Sequence, residues 1–322
     1  MKALFILSIL VMSCHVQADW LKQNQDIMGT RISVELWHDD PNLRESCSNR
    51  IFAEMRRIDA LMSPYKSTSE ISYINHNAAV SSINISEEMA SLINRSLQFS
   101  VLSNGAFDIT FASVGYRYDY RKQQLPADEF INSTLEAIDY RHIVLTDGRI
   151  YFKDSNVRID LGGIAKGYAV DRAIDIVISC GIDEAMISAG GDSRILGNKR
   201  GKPWIIGIQH PRKADDLAMV LPLSDTAIST SGDYQRYFIH KGQRIHHIIN
   251  PETGRSANQI WSATVTGRDA LTTDALSTTI FVLGAEKGLA LIEKMDSIDA
   301  IIIDKTGKVH YSSGFREPET DG

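Results

Sequence analysis

His142-Ile-Val-Leu-Thr-Asp-Gly-Arg-Ile-Tyr-Phe152 decides the fold class. Two runs rich in β-branched and aromatic residues, His142 to Leu145 and Ile150 to Phe152, flank Asp147-Gly148, a pair that tolerates the positive φ angles of a tight hairpin turn. Antiparallel pairing is therefore written into the middle of the chain. On the N-terminal side, Arg31 to Trp37 alternates, with Ile32, Val34 and Leu36 on one face, as a half-buried strand requires. From Arg44 the period becomes helical: Ile51, Phe52, Met55, Ile58, Leu61 and Met62 share a face, and Pro64 ends the run. Ser86, followed by Glu87 and Glu88, starts a second helix that runs toward Asn104-Gly105. On the C-terminal side, Tyr168 to Cys180 reads as a helix closed by Gly181. Ala185 to Ser188, Trp204 to Ile208, Ala300 to Ile303 and Val309 to Tyr311 read as strands, the last two joined by a Lys-Thr-Gly turn. Helices and strands alternate irregularly, so the expectation is an α+β fold with mixed, largely antiparallel sheets packed with helices. The stretch Gln123 to Asn132 is the most loop-like, and Glu317 to Gly322 reads as a frayed tail.

With 43% of 322 residues apolar and 23% charged, the chain can bury a large core, which disfavours disorder and fibrous architectures. The formal net charge is −6 and no basic run follows the N-terminus, so nucleic acid is not expected as a partner. The one segment read as apolar and long enough to meet a membrane is Ala3 to Met12, behind Met1-Lys2. Val16-Gln17-Ala18 then supplies the small-residue pattern of a signal peptidase site. Cleavage before Asp19 is predicted, giving a signal peptide over 1–18, a mature domain over 19–322 and an exported, periplasmic location. Val11-Met12-Ser13-Cys14 offers a second processing route, in which Cys14 carries a lipid, but the Val-x-Ala site is the cleaner pattern. In the mature chain only Cys47 and Cys180 remain, a pair that an oxidising compartment allows, without requiring, to form a disulfide. No Cys-x-x-Cys occurs, which excludes zinc-knuckle and thioredoxin-type chemistry.

Four segments carry candidate chemistry. Asp160-Leu-Gly-Gly-Ile-Ala-Lys-Gly-Tyr-Ala-Val-Asp171 reads as a strand ending in two glycines before a helix with Lys166 in its first turn. Glycine backbone and helix N-terminal amides suit an anion, although a tight structural turn explains the same residues. Asp274 and Thr278 lie at i and i+4 of a helix read over Ala270 to Phe281, two hard oxygen donors on one face that suit Mg²⁺, and equally an ordinary solvated face. His246-His247-Ile-Ile-Asn-Pro-Glu-Thr-Gly254 joins a strand to a turn and places a histidine where it can remove a proton, or where it is simply a core pair. Ser229 to Tyr234 and Ala189 to Asp192 are further small-residue turns ending in carboxylates.

Together and in order, eight segments resemble the ApbE-type flavin transferases, the FAD:protein FMN transferase family. They are Met28-Gly-Thr30, Ser63-Pro-Tyr65 with Ser69-Glu-Ile-Ser72 and Asn75, Ala106-Phe-Asp-Ile-Thr110, Asp160 to Asp171, Ala189 to Asp192, Ile228 to Arg236, His247 to Gly254 and Thr273 to Thr278. The resemblance spans nearly the whole mature chain. It implies an α+β protein with a T-fold-like core, built as one body or as two intimately packed lobes. It implies transfer of the FMN half of FAD to a Thr or Ser hydroxyl of an acceptor protein, with release of AMP. Met28, Tyr65, Ala106, Phe107, Asp108, Asp160, Lys166 and Ile249 match positions that contact FAD. Gly163, Asp274 and Thr278 match the Mg²⁺ ligands, and His247 matches the family's candidate general base. The acceptor implied is a subunit of a membrane redox complex with an Asp-Gly-x-Ser/Thr-Gly-type motif. The same site with water as nucleophile is an FAD pyrophosphatase, and a site that binds without catalysis is an FAD store. The chain departs from the family pattern at Gly163, where many relatives have Ala, at Phe111 to Gly115, and at Asn250, which replaces a frequent Asp.

Overall fold

Strand β1 (Leu21–Ile27) turns into β2 (Thr30–Trp37) through Met28 and Gly29, whose φ angles of 56° and 68° make the tight turn that right-twisted antiparallel strands favour. Residues 20–315 are described in this computed structural model. The predicted cleavage after Ala18, the lipid alternative at Cys14 and the tail from Glu317 lie outside the described residues. Six further strands complete the main sheet: β3 (Glu184–Ala189), β4 (Asp192–Leu196), β5 (Ala227–Gly232), β6 (Ile260–Gly267), β7 (Asp299–Asp304) and β8 (Val309–Tyr311). Their order in space follows their order in the chain, and every neighbouring pair is antiparallel. The α+β reading with antiparallel sheets therefore holds. Smaller ladders sit in the insertions, including the hairpin Ile143–Thr146 with Arg149–Phe152, turned at Asp147 and Gly148 with φ of 51° and 71°.

There are four long helices, α1 (Pro41–Met62), α2 (Glu87–Leu102), α3 (Ala165–Ser179) and α4 (Ala270–Ile292); α1, α3 and α4 pack on the sheet and α2 packs on α4. Asp40 caps α1 by accepting from the Asn42 amide, and Ser86 caps α2 by accepting from Met89. The buried face of α1 carries Ile51, Phe52, Met55, Ile58 and Met62, the stripe that the sequence spacing predicts. It packs on β1 and α3, while α3 packs on α4. Each of these fully buried aliphatic or aromatic side chains contributes roughly 1.5–3 kcal/mol. An exposed ion pair such as Arg172–Asp175 contributes about 0–1 kcal/mol, so the core and not the surface charges holds the frame. A smaller apolar cluster of Val114, Tyr118, Ile131, Ile138 and Ile249 sits beside the main one. A disulfide joins Cys47 on α1 to Cys180 at the end of α3, closing a separation of 133 residues.

The tertiary structure departs from the sequence expectation in five places, one of them Ser229 to Gly232, read as a turn and built into strand β5. No strand precedes Gly162-Gly163; residues 157–161 are irregular, tied by the Asp160 amide to the Ile109 carbonyl and by the Ile159 amide to Asn75. Helix α3 starts at Ala165, three residues before the expected Tyr168. The segment read as loop at Gln123 to Asn132 runs from Asp128 into a helix, Asp128–Thr134, which buries Ile131. Helix α4 continues past Phe281 to Ile292 across a break at Gly284 (φ 79°), so it too is long and apolar enough to cross a membrane; it is instead largely buried against the sheet.

Candidate active site

Asp171 fixes the crossing on which the site is built. Its carboxylate accepts from the Ala270 and Leu271 amides at 2.9 and 2.8 Å, the otherwise unsatisfied first turn of α4, and pairs with Arg194 of β4 at 2.7 Å. The two helices meet so closely at Gly167 that a Cβ there would run into the Ala270 carbonyl. That approach lets the Gly167 amide donate to Asp274 at 2.9 Å.

Three charged groups converge at this crossing. The Lys166 ammonium lies 2.9 Å from Asp192 and 3.2 Å from Asp274, and 3.3 Å from the Gly162 carbonyl. Both carboxylates are only 2% exposed. Burial, reinforced by Asp192, pushes Asp274 up to about 7 against the pull of Lys166 and the Gly167 amide. Burial opposes the charge on Lys166, but Asp192 and Asp274 outweigh it and hold its pKa above the ordinary lysine value. Thr278 follows Asp274 by one turn, and its hydroxyl lies 3.3 Å from that of Ser231. Gly163 faces it: a Cβ at Gly163 would stand 3.4 Å from Thr278 Oγ1 and 3.2 Å from the Phe107 ring. Gly163, Asp274 and Thr278 thus gather beside Lys166, and their donor set is all hard oxygen, which suits Mg²⁺.

Phe107 is buried edge-on against Phe99, and its amide donates to Ser103. Beside it Ala106 is half-buried. The Asp108 carboxylate is already committed, accepting from Thr110 through both amide and hydroxyl and from the Tyr140 amide, so its side chain shapes the turn. Burial raises its pKa against those donors. Half-buried Asp160 accepts from the Gly162 amide at 2.7 Å; burial raises its pKa, against that hydrogen bond and the charges of Arg236 and Lys166. Tyr65 is 86% exposed. Met28 is half-buried in the β1–β2 turn, where Arg236 donates to the Gly29 carbonyl at 2.8 Å, and Ile249 belongs to the smaller apolar cluster.

The two adjacent histidines part company. His246 is 2% exposed, bonded to the Ala257 carbonyl at 2.6 Å and packed edge-on against Phe281. His247 keeps a buried Nδ1 with no hydrogen-bond partner among the described residues, while its backbone amide donates to the Arg236 carbonyl. Burial first, then the fields of His246, Arg236 and Lys166, lower its pKa to about 3. Burial thus favours the neutral ring, the form that can accept a proton.

Sequence reasoning assigned no role to Asp192, Arg236 or Ser231. Ala189 to Asp192 is the turn the sequence shows, whereas Ser229 to Gly232, read as a turn, lies in strand β5; nothing local shows that Asp192 meets a lysine 26 positions earlier in the chain.

The model of the ApbE family matches residues 28–302. This chain belongs to the ApbE family. A relative from Vibrio cholerae named FAD:protein FMN transferase is 30% identical over 96% of this chain and 95% of its own length. Another of that name from Klebsiella pneumoniae is 30% identical over 90% of this chain and 91% of its own. Among solved structures, the ApbE protein of Thermotoga maritima superimposes with a TM-score of 0.86 at 33% identity, covering 93% of this chain and all of its own. The flavin transferase ApbE of V. cholerae gives 0.83 at 28% identity, covering 92% and 98%.

Proposed function

We propose that this chain is an exported, Mg²⁺-dependent FAD:protein FMN transferase. The observation that carries the reading is the convergence of Gly163, Asp274 and Thr278 beside Lys166, in a chain that matches ApbE proteins almost end to end. Gly163, Asp274 and Thr278 would hold Mg²⁺, which would supply charge neutralisation at the FAD pyrophosphate. The chain's own groups do the rest. Lys166 supplies a charge-assisted donor to a phosphate oxygen. Exposed Tyr65, with Met28, Ala106, Phe107, Asp160 and Ile249, would frame the flavin end, with Asp108 holding the turn that carries Ala106 and Phe107. Neutral His247 takes the proton of an acceptor Thr or Ser hydroxyl, whose oxygen bonds to the FMN phosphorus as the phosphoanhydride P–O bond breaks. The electron pair leaves with AMP.

The Cys47–Cys180 bridge supports export, because disulfides persist in oxidising compartments, and it agrees with the predicted leader over 1–18. The acceptor proposed is a redox-complex subunit with an Asp-Gly-x-Ser/Thr-Gly-type motif. The test is to incubate the mature protein with FAD and Mg²⁺, with and without such a domain, following AMP and acceptor mass. Acceptor gaining the mass of FMN in step with AMP supports transfer. AMP and free FMN without labelling would replace it by FAD pyrophosphatase activity, and bound FAD without AMP by a storage role.

A further inference from the structure

Lys166 occupies an unusual position for a residue expected to meet phosphate. Its ammonium is not directed into open space but lies between two buried carboxylates, 2.9 Å from Asp192 and 3.2 and 3.3 Å from the two oxygens of Asp274. A hard divalent ion seeking Asp274 therefore meets a resident cation already bonded to both of its oxygens. Removing Lys166 from Asp274 with nothing to receive it would leave a half-buried ammonium short of a partner, an unfavourable arrangement. Asp192 removes that cost. It comes from the sheet, at the start of strand β4, is 2% exposed, and keeps a 2.9 Å contact that does not involve Asp274. Its place is set rigidly: β4 pairs with β3 and β5, with Asp192 opposite Ala189 and Ser229. Gly190 and Gly191 make the turn before it, where a Cβ at Gly191 would press on the Thr230 carbonyl.

We propose that Lys166 holds the place of the divalent cation at Asp274, and that Asp192 is the positioning residue that keeps Lys166 when the ion takes Asp274. The inference rests on the transferase reading for the identity of the ion, but not on turnover. Charge at the crossing is then balanced in both states. With no divalent ion, one ammonium faces two carboxylates; with the ion on Asp274, the ammonium remains paired with Asp192 and turns a hydrogen toward the phosphate side. The exchange also keeps the two carboxylates from facing each other uncompensated, which like-charge repulsion disfavours.

The experiment uses flavin-free mature protein. Mg²⁺ is titrated calorimetrically into wild type and Lys166→Met, and the wild type is crystallised with Mn²⁺, located by its anomalous signal. The placeholder role requires Lys166→Met to tighten Mg²⁺ binding by about tenfold or more, because a competing positive charge is gone. Unchanged or weaker binding by the folded variant overturns it, since that is the result expected if Lys166 merely props Asp274 in place. The crystal decides the matter even if the variant does not fold. Mn²⁺ on Asp274 with Lys166 kept on Asp192 supports the role, whereas Lys166 still bonded to Asp274, or Mn²⁺ bound elsewhere, overturns it. FMN transfer by the wild type is measured separately: cation exchange without transfer sinks the functional reading alone, and transfer without exchange sinks this inference alone.

Discussion

The backbone amide of Gly167 donates to the carboxylate of Asp274 at 2.9 Å, across 107 residues of sequence. The contact exists because residue 167 has no side chain, and a Cβ there would collide with the Ala270 carbonyl and press on Asp274. Gly167→Ala is expected to force α3 and α4 apart, destabilising the protein by about 1–3 kcal/mol through overpacking and moving Asp274 from Lys166. Denaturant unfolding with a parallel turnover assay checks this; a variant with wild-type stability and rate would show that the crossing is softer than it looks.

Asp274→Asn keeps the volume and removes the charge. Mg²⁺-dependent AMP release is expected to fall to background while the melting temperature changes little, because the substitution also relieves a carboxylate buried beside Asp192. Retained Mg²⁺-dependent turnover would remove Asp274 from the metal site.

His247→Ala is expected to lower the transfer rate by about 10²- to 10⁴-fold while leaving FAD affinity nearly intact, the pattern of a proton acceptor. A loss confined to affinity would make it a binding residue.

The depressed His247 pKa also makes a stability prediction. Between its ordinary value of 6.5 and about 3, the unfolded chain binds a proton that the folded chain does not, so stability is lost as pH falls through this window and is fully present above it. Comparing wild type with His247→Gln by urea unfolding at pH 7.5 and 5.0 should show a wild-type loss larger by about 1–2 kcal/mol. Parallel curves for the two proteins would contradict the buried, neutral ring.

The Cys47–Cys180 bridge closes a loop of 133 residues, for which chain entropy predicts about 5 kcal/mol, with measured losses commonly about 2–5 kcal/mol. Cys47→Ser with Cys180→Ser should lower the unfolding midpoint accordingly and leave turnover at low temperature close to wild type, because the bridge ties α1 to the end of α3 opposite Lys166. An unchanged midpoint would show that the α1–α3 packing alone fixes that corner.

What the chain determined by itself is what depends on near neighbours. The alternation of Ile32, Val34 and Leu36, the stripe from Ile51 to Met62, the Ser86 cap, the Asp147-Gly148 turn and the Gly181 stop are all present, because each follows from the geometry of residues within about one turn or one pleat of each other. The i to i+4 placement of Asp274 and Thr278 on one helix was legible for the same reason. Legibility failed where distant segments decide. Residues 157–161 are held by Asn75 and Ile109 and not by a ladder, so their apolar run misleads. His246 and His247 are indistinguishable as neighbours in sequence, yet Ala257 and Phe281 claim one ring and leave the other unpartnered. Cys47 and Cys180 could pair or remain free until α1 was laid along α3. Asp192 read only as the end of a glycine turn; its bond to Lys166 comes from the strand order that seats β4 beneath the start of α3. Such contacts join segments whose separation along the chain encodes nothing about their distance in space, and only the packing of sheet on helix brings them together.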